Sequence, residues 1–192
     1  SGGQVKIRAF DGSAQLHGQI SASSTVGSGG GVTIVAKDLA ITGRVTAEGT
    51  TGGTIQVVAQ NASQISDTNI SAQGSSKGGV IALESVDGFI LSNTRMQANG
   101  TQDGGSIKVV STAGSINLQA STIQTNGSNG RGGSIGISGA KLTNFDQSTV
   151  ESNGYSAGGH IKIGNDYDGQ TLPFSVRTNL DPLSVISAAQ TE

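Results

Sequence analysis

The sequence contains no cysteine, and only two of its 192 residues are proline. The lack of cysteine excludes a disulfide framework and any thiol or cysteine-ligated metal chemistry. It also suits a chain that crosses an oxidising compartment while unfolded, because no stray disulfide can form on the way. No apolar run approaches the length of a membrane-spanning helix, so we expect no membrane insertion.

Charged and aromatic residues are also scarce, at 12% and 3% of the chain, and the net charge is only −2. A basic surface for nucleic acid or for an anionic membrane is therefore not expected. Frequent valine and isoleucine together with low net charge argue against disorder.

Glycine, by contrast, is abundant, and it follows a pattern. In seven places a Gly-Gly pair is followed by four residues of which the second and the fourth are apolar. An example is Gly104-Gly105, followed by Ile107 and Val109. The second glycines are Gly3, Gly30, Gly53, Gly79, Gly105, Gly133 and Gly159. Their six intervals span 156 residues, a mean of 26. Self-similarity at this period predicts stacked supersecondary units.

Each repeat carries two further apolar segments in a fixed order. The last is an apolar-polar-small triplet before a turn, as in Met96-Gln97-Ala98 followed by Asn99-Gly100, and Asn-Gly is a strong turn signal. Equivalent asparagines in successive turns, Asn99, Asn126 and Asn153, predict a stabilising ladder of side-chain amides. The middle segment is less regular, and its apolar residues are Leu39, Ile41, Ile65, Phe89, Leu91, Ile116, Leu118, Leu142 and Phe145.

All three segments alternate with period two, which is typical of half-buried strands. The sequence therefore predicts an all-β, right-handed parallel β-helix, a solenoid of about seven three-strand coils with roughly 26 residues per coil. The first segments predict two inward columns, Val5, Val32, Ile55, Ile81, Ile107, Ile135, Ile161 and Ile7, Ile34, Val57, Leu83, Val109, Ile137, Ile163. The third segments predict another, Ile20, Val45, Ile70, Met96, Ile123, Val150. Phe10, Phe89 and Phe145 are predicted to fill the core or its corners.

The last coil is longer than the others. Ile163 lies 23 residues before Ile186, whereas the equivalent interval is 13 residues in four other coils. We therefore divide the chain into regular coils at 1–164, an extruded loop within the last coil at 165–185, and a last strand at 186–192. Because the sequence opens directly on a repeat motif, we expect it to be cut from a longer solenoid.

The repeats and the last coil resemble one family of bacterial surface proteins. GGxIxI coils joined by Asn-Gly turns are similar to the β-helical shaft of filamentous-haemagglutinin-like exoproteins of two-partner secretion. The segment GGHIKIGNDYDGQTLPFSVRTNL, at 158–180, resembles one that recurs in large members of that family. Asn165 stands where a glycine is usual, and Gln170-Thr171 replaces a further glycine. The resemblance implies an adhesin that is secreted or held at the bacterial cell surface, exported unfolded through an outer-membrane transporter partner.

Residues suited to catalysis or metal binding are few. His17 and His160 are 143 residues apart, and neither has a carboxylate at metal-ligand spacing. Asp166 and Asp168, beside Tyr167, form the closest acidic pair, but two carboxylates are too few for calcium, and aspartate and glycine commonly build turns. We therefore predict no catalytic, cofactor or metal site and no enzymatic activity.

Two surfaces offer contacts to a ligand. The outward third-strand positions are polar, and Lys6, Lys108 and Lys162 share one outward position of the first strands. Aromatic side chains, which ligand pockets usually gather, cluster toward the C-terminal coils. The predicted ligand-contact loop consists of Asp166, Tyr167, Asp168, Phe174 and Arg177.

The function predicted first is a structural shaft segment of an adhesin, which presents a distal binding region for attachment or biofilm formation. We expect the chain to be a monomer. The alternative is a glycan-binding or polysaccharide-active β-helix module, with surface glycans or exopolysaccharide as partners. An ice-binding array is disfavoured, because the outward columns mix serine, glutamine, lysine and glutamate.

Overall fold

The computed structural model describes residues 1–165 and 172–191, and in them the chain is a parallel β-solenoid without any helix. It makes about six turns of roughly 26 residues, which confirms the predicted fold class. The strands are β1 (Gln4–Ser21), β2 (Gly31–Thr46), β3 (Gly49–Thr51), β4 (Thr54–Ala59), β5 (Ser63–Ser71), β6 (Gly74–Lys77), β7 (Val80–Ser85), β8 (Gly88–Ser92), β9 (Arg95–Gln97), β10 (Ser106–Ser111), β11 (Ser115–Gln119), β12 (Thr122–Gln124), β13 (Ser134–Gly139), β14 (Leu142–Asp146), β15 (Thr149–Glu151), β16 (His160–Ile163), β17 (Thr178–Leu180) and β18 (Val185–Ser187).

The strands form three walls around one core. Wall A consists of β4, β7, β10, β13 and β16, wall B of β8, β11, β14 and β17, and wall C of β9, β12, β15 and β18. Strands β1 and β2 run through all three walls without a break, and β5 runs through walls B and C. All pairings between these strands are parallel, so each wall is a ladder of equivalent segments from successive coils.

The predicted inward columns are confirmed residue by residue. In wall A, Ile81 pairs with Ile55 of the coil before it and with Ile107 of the coil after it. In wall C, Ile123 pairs with Met96 and Val150 in the same way. These residues are buried, and β-branched side chains stacked at strand spacing pack well on a pleated surface.

Wall B departs from the prediction at two places. Thr143, and not Leu142, stacks on Ile116 and is fully buried, because its hydroxyl accepts a hydrogen bond from the Gly139 backbone N–H at 2.9 Å. Phe89 and Phe145 fill the core as predicted, but Phe10 is exposed, in an irregular stretch of β1 where the pairing with β2 shifts.

The Gly-Gly pairs are required by the close approach of three backbone segments. The Gly105 N–H donates to the Ala98 carbonyl at 2.7 Å, which ties the start of wall A to the end of wall C. A Cβ on Gly105 would lie 2.0 Å from the carbonyl oxygen of Gly79, in the coil before it. A Cβ on Gly104 would lie 1.9 Å from the carbonyl oxygen of Thr125. No side chain fits at either position without a shift of the coils.

A buried hydroxyl ladder forms the corner between walls B and C. Each corner places one residue in the left-handed region and then a serine or threonine: Asp67-Thr68, Asn93-Thr94, Ala120-Ser121 and Gln147-Ser148, with φ of 47° to 49°. The Ser121 hydroxyl accepts the Thr94 N–H at 3.1 Å and donates to the Leu91 carbonyl at 3.0 Å. Ser148 accepts the Ser121 N–H in the same way. The hydroxyls thus satisfy backbone groups that the sharp corner removes from the strand ladders.

Ala120 is the one nonpolar residue among these four left-handed positions, and it is exposed. Because asparagine tolerates this conformation better than alanine does, Ala120→Asn is expected to raise the free energy of unfolding by about 0.5–1 kcal/mol. Urea unfolding followed by circular dichroism measures it. Ala113→Asn, at an exposed position without positive φ, is the matched control and should give no gain. Equal effects of the two substitutions would contradict the strain argument.

The end of the last coil returns to the solenoid earlier than predicted. Strand β17 (Thr178–Leu180) lies within the span 165–185 that was predicted as an extruded loop, and it pairs with β14. Just before it, the Val176 N–H donates to the Ala140 carbonyl at 3.0 Å. Leu172 is only 3% exposed and lies over Gly136 of wall A. The described part of the insertion is therefore packed against the outer surface of the wall.

Candidate functional site

Outward polar side chains of wall C and of the turns that follow it are hydrogen-bonded to the neighbouring coils along the solenoid axis. In wall C, Gln97 donates to Gln124 at 3.0 Å, and Gln124 donates to the Glu151 carboxylate at 2.7 Å. In the turns that follow, the side-chain oxygen of Asn99 accepts the Asn126 N–H at 2.7 Å. Asn126 and Asn153 repeat this contact at the same distance. The asparagines therefore form a ladder as predicted, but each side-chain oxygen accepts a backbone N–H and not the amide of the next side chain. These groups stabilise the stack.

A cleft of about 270 Å³ lies on the outer surface of wall A, where Leu172 folds back over the strands. The lining residues come from β10, β13 and β16 and from the insertion: Ser106, Ile107, Lys108, Ser134, Ile135, Gly136, His160, Lys162 and Leu172. Because the isoleucine side chains of these strands point into the core, the floor is mainly backbone. We call this hollow the wall A cleft.

One outward side chain is missing from wall A, at the point where Leu172 lies over it. Lys108, Gly136 and Lys162 are paired in neighbouring strands and occupy the same outward column. Glycine at the centre leaves a gap between two lysines whose Cα atoms are about 10 Å apart, at two strand spacings. A Cβ on Gly136 would lie 3.2 Å and 3.5 Å from the two Leu172 methyl groups, so the Leu172 side chain fills this gap.

The described lining of the cleft carries two lysines and no acidic residue. Strands β10, β13 and β16 contribute Lys108, Lys162 and His160 and contain no acidic residue. Lys108 Nζ lies 3.3 Å from a carboxylate oxygen of Glu84 on the neighbouring β7, which offsets part of its charge. Beside the lysine column, the Ser134 hydroxyl donates to the Ser106 hydroxyl at 3.1 Å. The cleft therefore combines cations, hydroxyls and one apolar side.

The loop predicted to contact a ligand is only partly described. Asp166, Tyr167 and Asp168 lie outside the described residues. Phe174 is 68% exposed, and Arg177 donates to the Asn179 side chain at 2.8 Å, but neither lines the wall A cleft.

Sequence reasoning noted the lysine column and His160 without joining them into a site. The signal that it missed was glycine at position 136, where the outward position of a strand normally carries a side chain. The packing of Leu172 against this glycine had no signal in the repeat pattern, because the insertion does not follow that pattern.

Titratable groups elsewhere serve local structure. His17 Nδ1 lies 2.5 Å from the Thr42 hydroxyl on the next coil, at an exposed position. Asp181 accepts a hydrogen bond from the Ser184 hydroxyl, which lowers the pKa of the Asp181 carboxyl, and it also accepts the Gln147 N–H at 3.1 Å. Within residues 1–165 and 172–191, no three histidine, aspartate or glutamate side chains are grouped closely enough to hold a metal ion.

Comparison of the chain with protein-family models, curated protein sequences and solved structures found no match. The structure alone therefore establishes the parallel solenoid, and no family is shown by these comparisons. The described part of the chain contains no helix long and apolar enough to cross a membrane.

Proposed function

We propose that this chain is a structural shaft segment of a filamentous-haemagglutinin-like adhesin, without enzymatic activity, secreted to the bacterial cell surface through an outer-membrane transporter. The observation that carries the proposal is the stacking of equivalent residues through seven levels, from Val5 to Ile161. At about 4.8 Å per level, this stack is a rod of roughly 30 Å in which each coil contacts only its neighbours. Such a rod is suited to holding a distal binding region away from the cell.

The polar outer ladders support the same role. Side chains such as Gln97, Gln124 and Glu151 use their hydrogen-bonding groups along the axis, which leaves them fewer groups for a ligand. The resemblance of residues 158–180 to a segment recurring in large adhesins supports the assignment to that family.

Removal of whole coils tests the proposal. In the parent protein, deletion of residues 30–78 removes two coils and joins Gly29 to Gly79, which regenerates a Gly-Gly pair in register. A shaft should tolerate this change, so secretion and attachment of cells should be retained, with the rod shortened by about 10 Å in electron micrographs.

The matched control is deletion of residues 30–65, which ends inside β5 and joins the end of the first coil to wall C of a later one, so the coil at the junction lacks walls A and B. It is expected to abolish secretion of folded protein. Loss of attachment after the in-register deletion, with secretion and folding intact, would contradict a purely structural role for these coils and would favour the glycan-binding alternative.

A further inference from the structure

We infer that Asn129-Gly130 is a site of covalent self-modification, at which the asparagine is converted to aspartate and isoaspartate through a cyclic imide. This reactivity goes beyond the proposed structural role and does not depend on it. The chain contains four Asn-Gly pairs, and the structure separates this one from the other three, which lie at 99–100, 126–127 and 153–154.

The two residues of an Asn-Gly pair can react with each other. The backbone nitrogen of the glycine loses its proton to a base and attacks the side-chain carbonyl carbon, Cγ, of the asparagine. The bond between Cγ and Nδ2 then breaks, and the nitrogen takes up a proton and leaves as ammonia. Water opens the five-membered imide at either of its two carbonyl carbons, which gives aspartate or isoaspartate. The reaction therefore requires a free glycine N–H and an asparagine side chain that can turn toward it.

The asparagine ladder blocks this reaction at the other three pairs. The Gly127 N–H donates to the Asn153 carbonyl at 2.9 Å, and the side-chain oxygen of Asn126 accepts the Asn153 N–H at 2.7 Å. The pair one coil earlier makes the same two contacts with the coil after it, at 3.0 Å and 2.7 Å. The pair one coil later makes them at 3.0 Å and 2.8 Å. In each pair, both reacting groups are thus held by the next coil.

The turn that contains Asn129-Gly130 is one residue longer than the turn stacked on it in the coil before. Gly127 and Arg131 pair with Gly100 and Asp103 of that coil. Three residues lie between the first two, whereas only two residues lie between their partners. The longer turn therefore presents one backbone N–H more than the shorter turn has carbonyls to receive.

The extra N–H is that of Gly130. The Ser128 and Asn129 N–H groups donate to the Gly100 and Thr101 carbonyls, at 3.2 Å and 2.7 Å. Among residues 1–165 and 172–191, the Gly130 N–H has no hydrogen-bond acceptor. Asn129 is exposed, and its side chain has no partner among the same residues, whereas the ladder asparagines are only partly exposed. Both requirements of the reaction are therefore met at this pair.

The modification changes the surface and not the core. Conversion replaces a neutral amide with a carboxylate two residues from the exposed Arg131. Isoaspartate also lengthens the main chain by one methylene group, which an exposed turn tolerates better than a strand does. The inward columns are not touched, so the circular dichroism spectrum of the modified protein should match that of the unmodified protein.

Peptide mapping by mass spectrometry tests the inference. The folded protein is kept at mildly alkaline pH, and the conversion at each of the four asparagines is followed over time, with fragment ions assigning each change to its residue. Asn129 is expected to react at least about tenfold faster than each of the other three, because those pairs must first lose two hydrogen bonds to the next coil. In concentrated urea, where the ladders are absent, the four pairs should react at similar rates.

Deletion of Ser128 tests the role of the extra residue. Gly130 then takes the place equivalent to Gln102, whose N–H donates to the Ser76 carbonyl at 2.7 Å. The reaction at Asn129 is expected to slow by about tenfold, the effect of one added hydrogen bond at the upper end of its usual strength. Ser128→Ala is the matched control, because it keeps the longer turn and should leave the rate unchanged. Circular dichroism shows whether both variants are folded, and the comparison of folded and urea-unfolded protein does not depend on them.

The inference is overturned by either of two results from the unaltered chain. The first is that Asn129 reacts no faster than the ladder asparagines in the folded protein. The second is that it leads by the same factor in urea, which would mean that the local sequence, and not the ladder, sets the rate. An unchanged rate in a folded Ser128 deletion variant would contradict the role of the longer turn.

Discussion

Replacing Gly105 by alanine is expected to lower the free energy of unfolding by more than about 3 kcal/mol. The added methyl group would lie 2.0 Å from the Gly79 carbonyl oxygen and within 3 Å of two further backbone atoms of the same coil. These are main-chain atoms that parallel strand ladders hold on both sides. Rotation of a side chain therefore cannot relieve the clash. The two coils must separate, which stretches the hydrogen bond from the Gly105 N–H to the Ala98 carbonyl.

Gly3→Ala is the matched control for this substitution. Gly3 occupies the equivalent position in the first Gly-Gly pair, but a Cβ there would meet no atom within 4 Å. Its effect should stay within about 0.5 kcal/mol, as for ordinary surface changes. Urea unfolding followed by far-ultraviolet circular dichroism is the suitable measurement, because the chain has no tryptophan. Equal destabilisation by the two changes would mean that glycine is required by chain flexibility rather than by the contact between coils.

Phe89→Ala is expected to cost about 3–5 kcal/mol of unfolding free energy. Phe89 is 1% exposed and stacks between Ser63 and Ile116 in wall B, so removal of its ring leaves a cavity that the surrounding ladders cannot close. In a solenoid, a defect in a central coil weakens the contact with both neighbours.

The adjacent residue of the same strand provides the control for Phe89→Ala. Ile90 is 42% exposed and points outward, so Ile90→Ala should cost less than about 1 kcal/mol. The same urea experiment compares the two variants. If Ile90→Ala were the more damaging change, the assignment of the inner and outer faces of wall B would be wrong.

The regular part of the fold could be predicted because one physical requirement repeats. In every coil, an apolar residue of wall A must lie over its equivalent in the coil before it, as Ile107 lies over Ile81. This requirement leaves the same motif in the sequence seven times. The Gly-Gly pairs carry the same information, since the coil before each pair excludes a side chain at every second glycine from Gly30 to Gly159.

Features that depend on local geometry could not be read from the repeat. At the corner between walls B and C, the residue before each hydroxyl is aspartate, asparagine, alanine or glutamine, so the left-handed conformation has no common residue type. Thr143 replaces an aliphatic residue in the core because its hydroxyl finds the Gly139 N–H, a contact that exists only in the folded chain.

The wall A cleft was predictable in part. The lysine column is visible in the sequence once the coils are aligned, and so is the glycine that interrupts it. Only the structure shows that Leu172 folds back to close the gap, because ten extra residues can leave the wall along many paths. The cation pattern was therefore predictable, and the packing of Leu172 against it was not.

The central claim is that equivalent residues of successive coils stack directly over one another, and cross-linking in this cysteine-free chain tests it most directly. Gln56 and Ala82 are paired outward residues of β4 and β7, at a Cα separation of about 4.8 Å that suits a disulfide. The variant Gln56→Cys/Ala82→Cys should form an intramolecular disulfide under mild oxidation, detected by mass spectrometry. Gln56→Cys/Glu84→Cys, which is out of register by two residues and about 8 Å apart, should form little. Equal yields from the two variants, or a higher yield from the second, would contradict the stacked register.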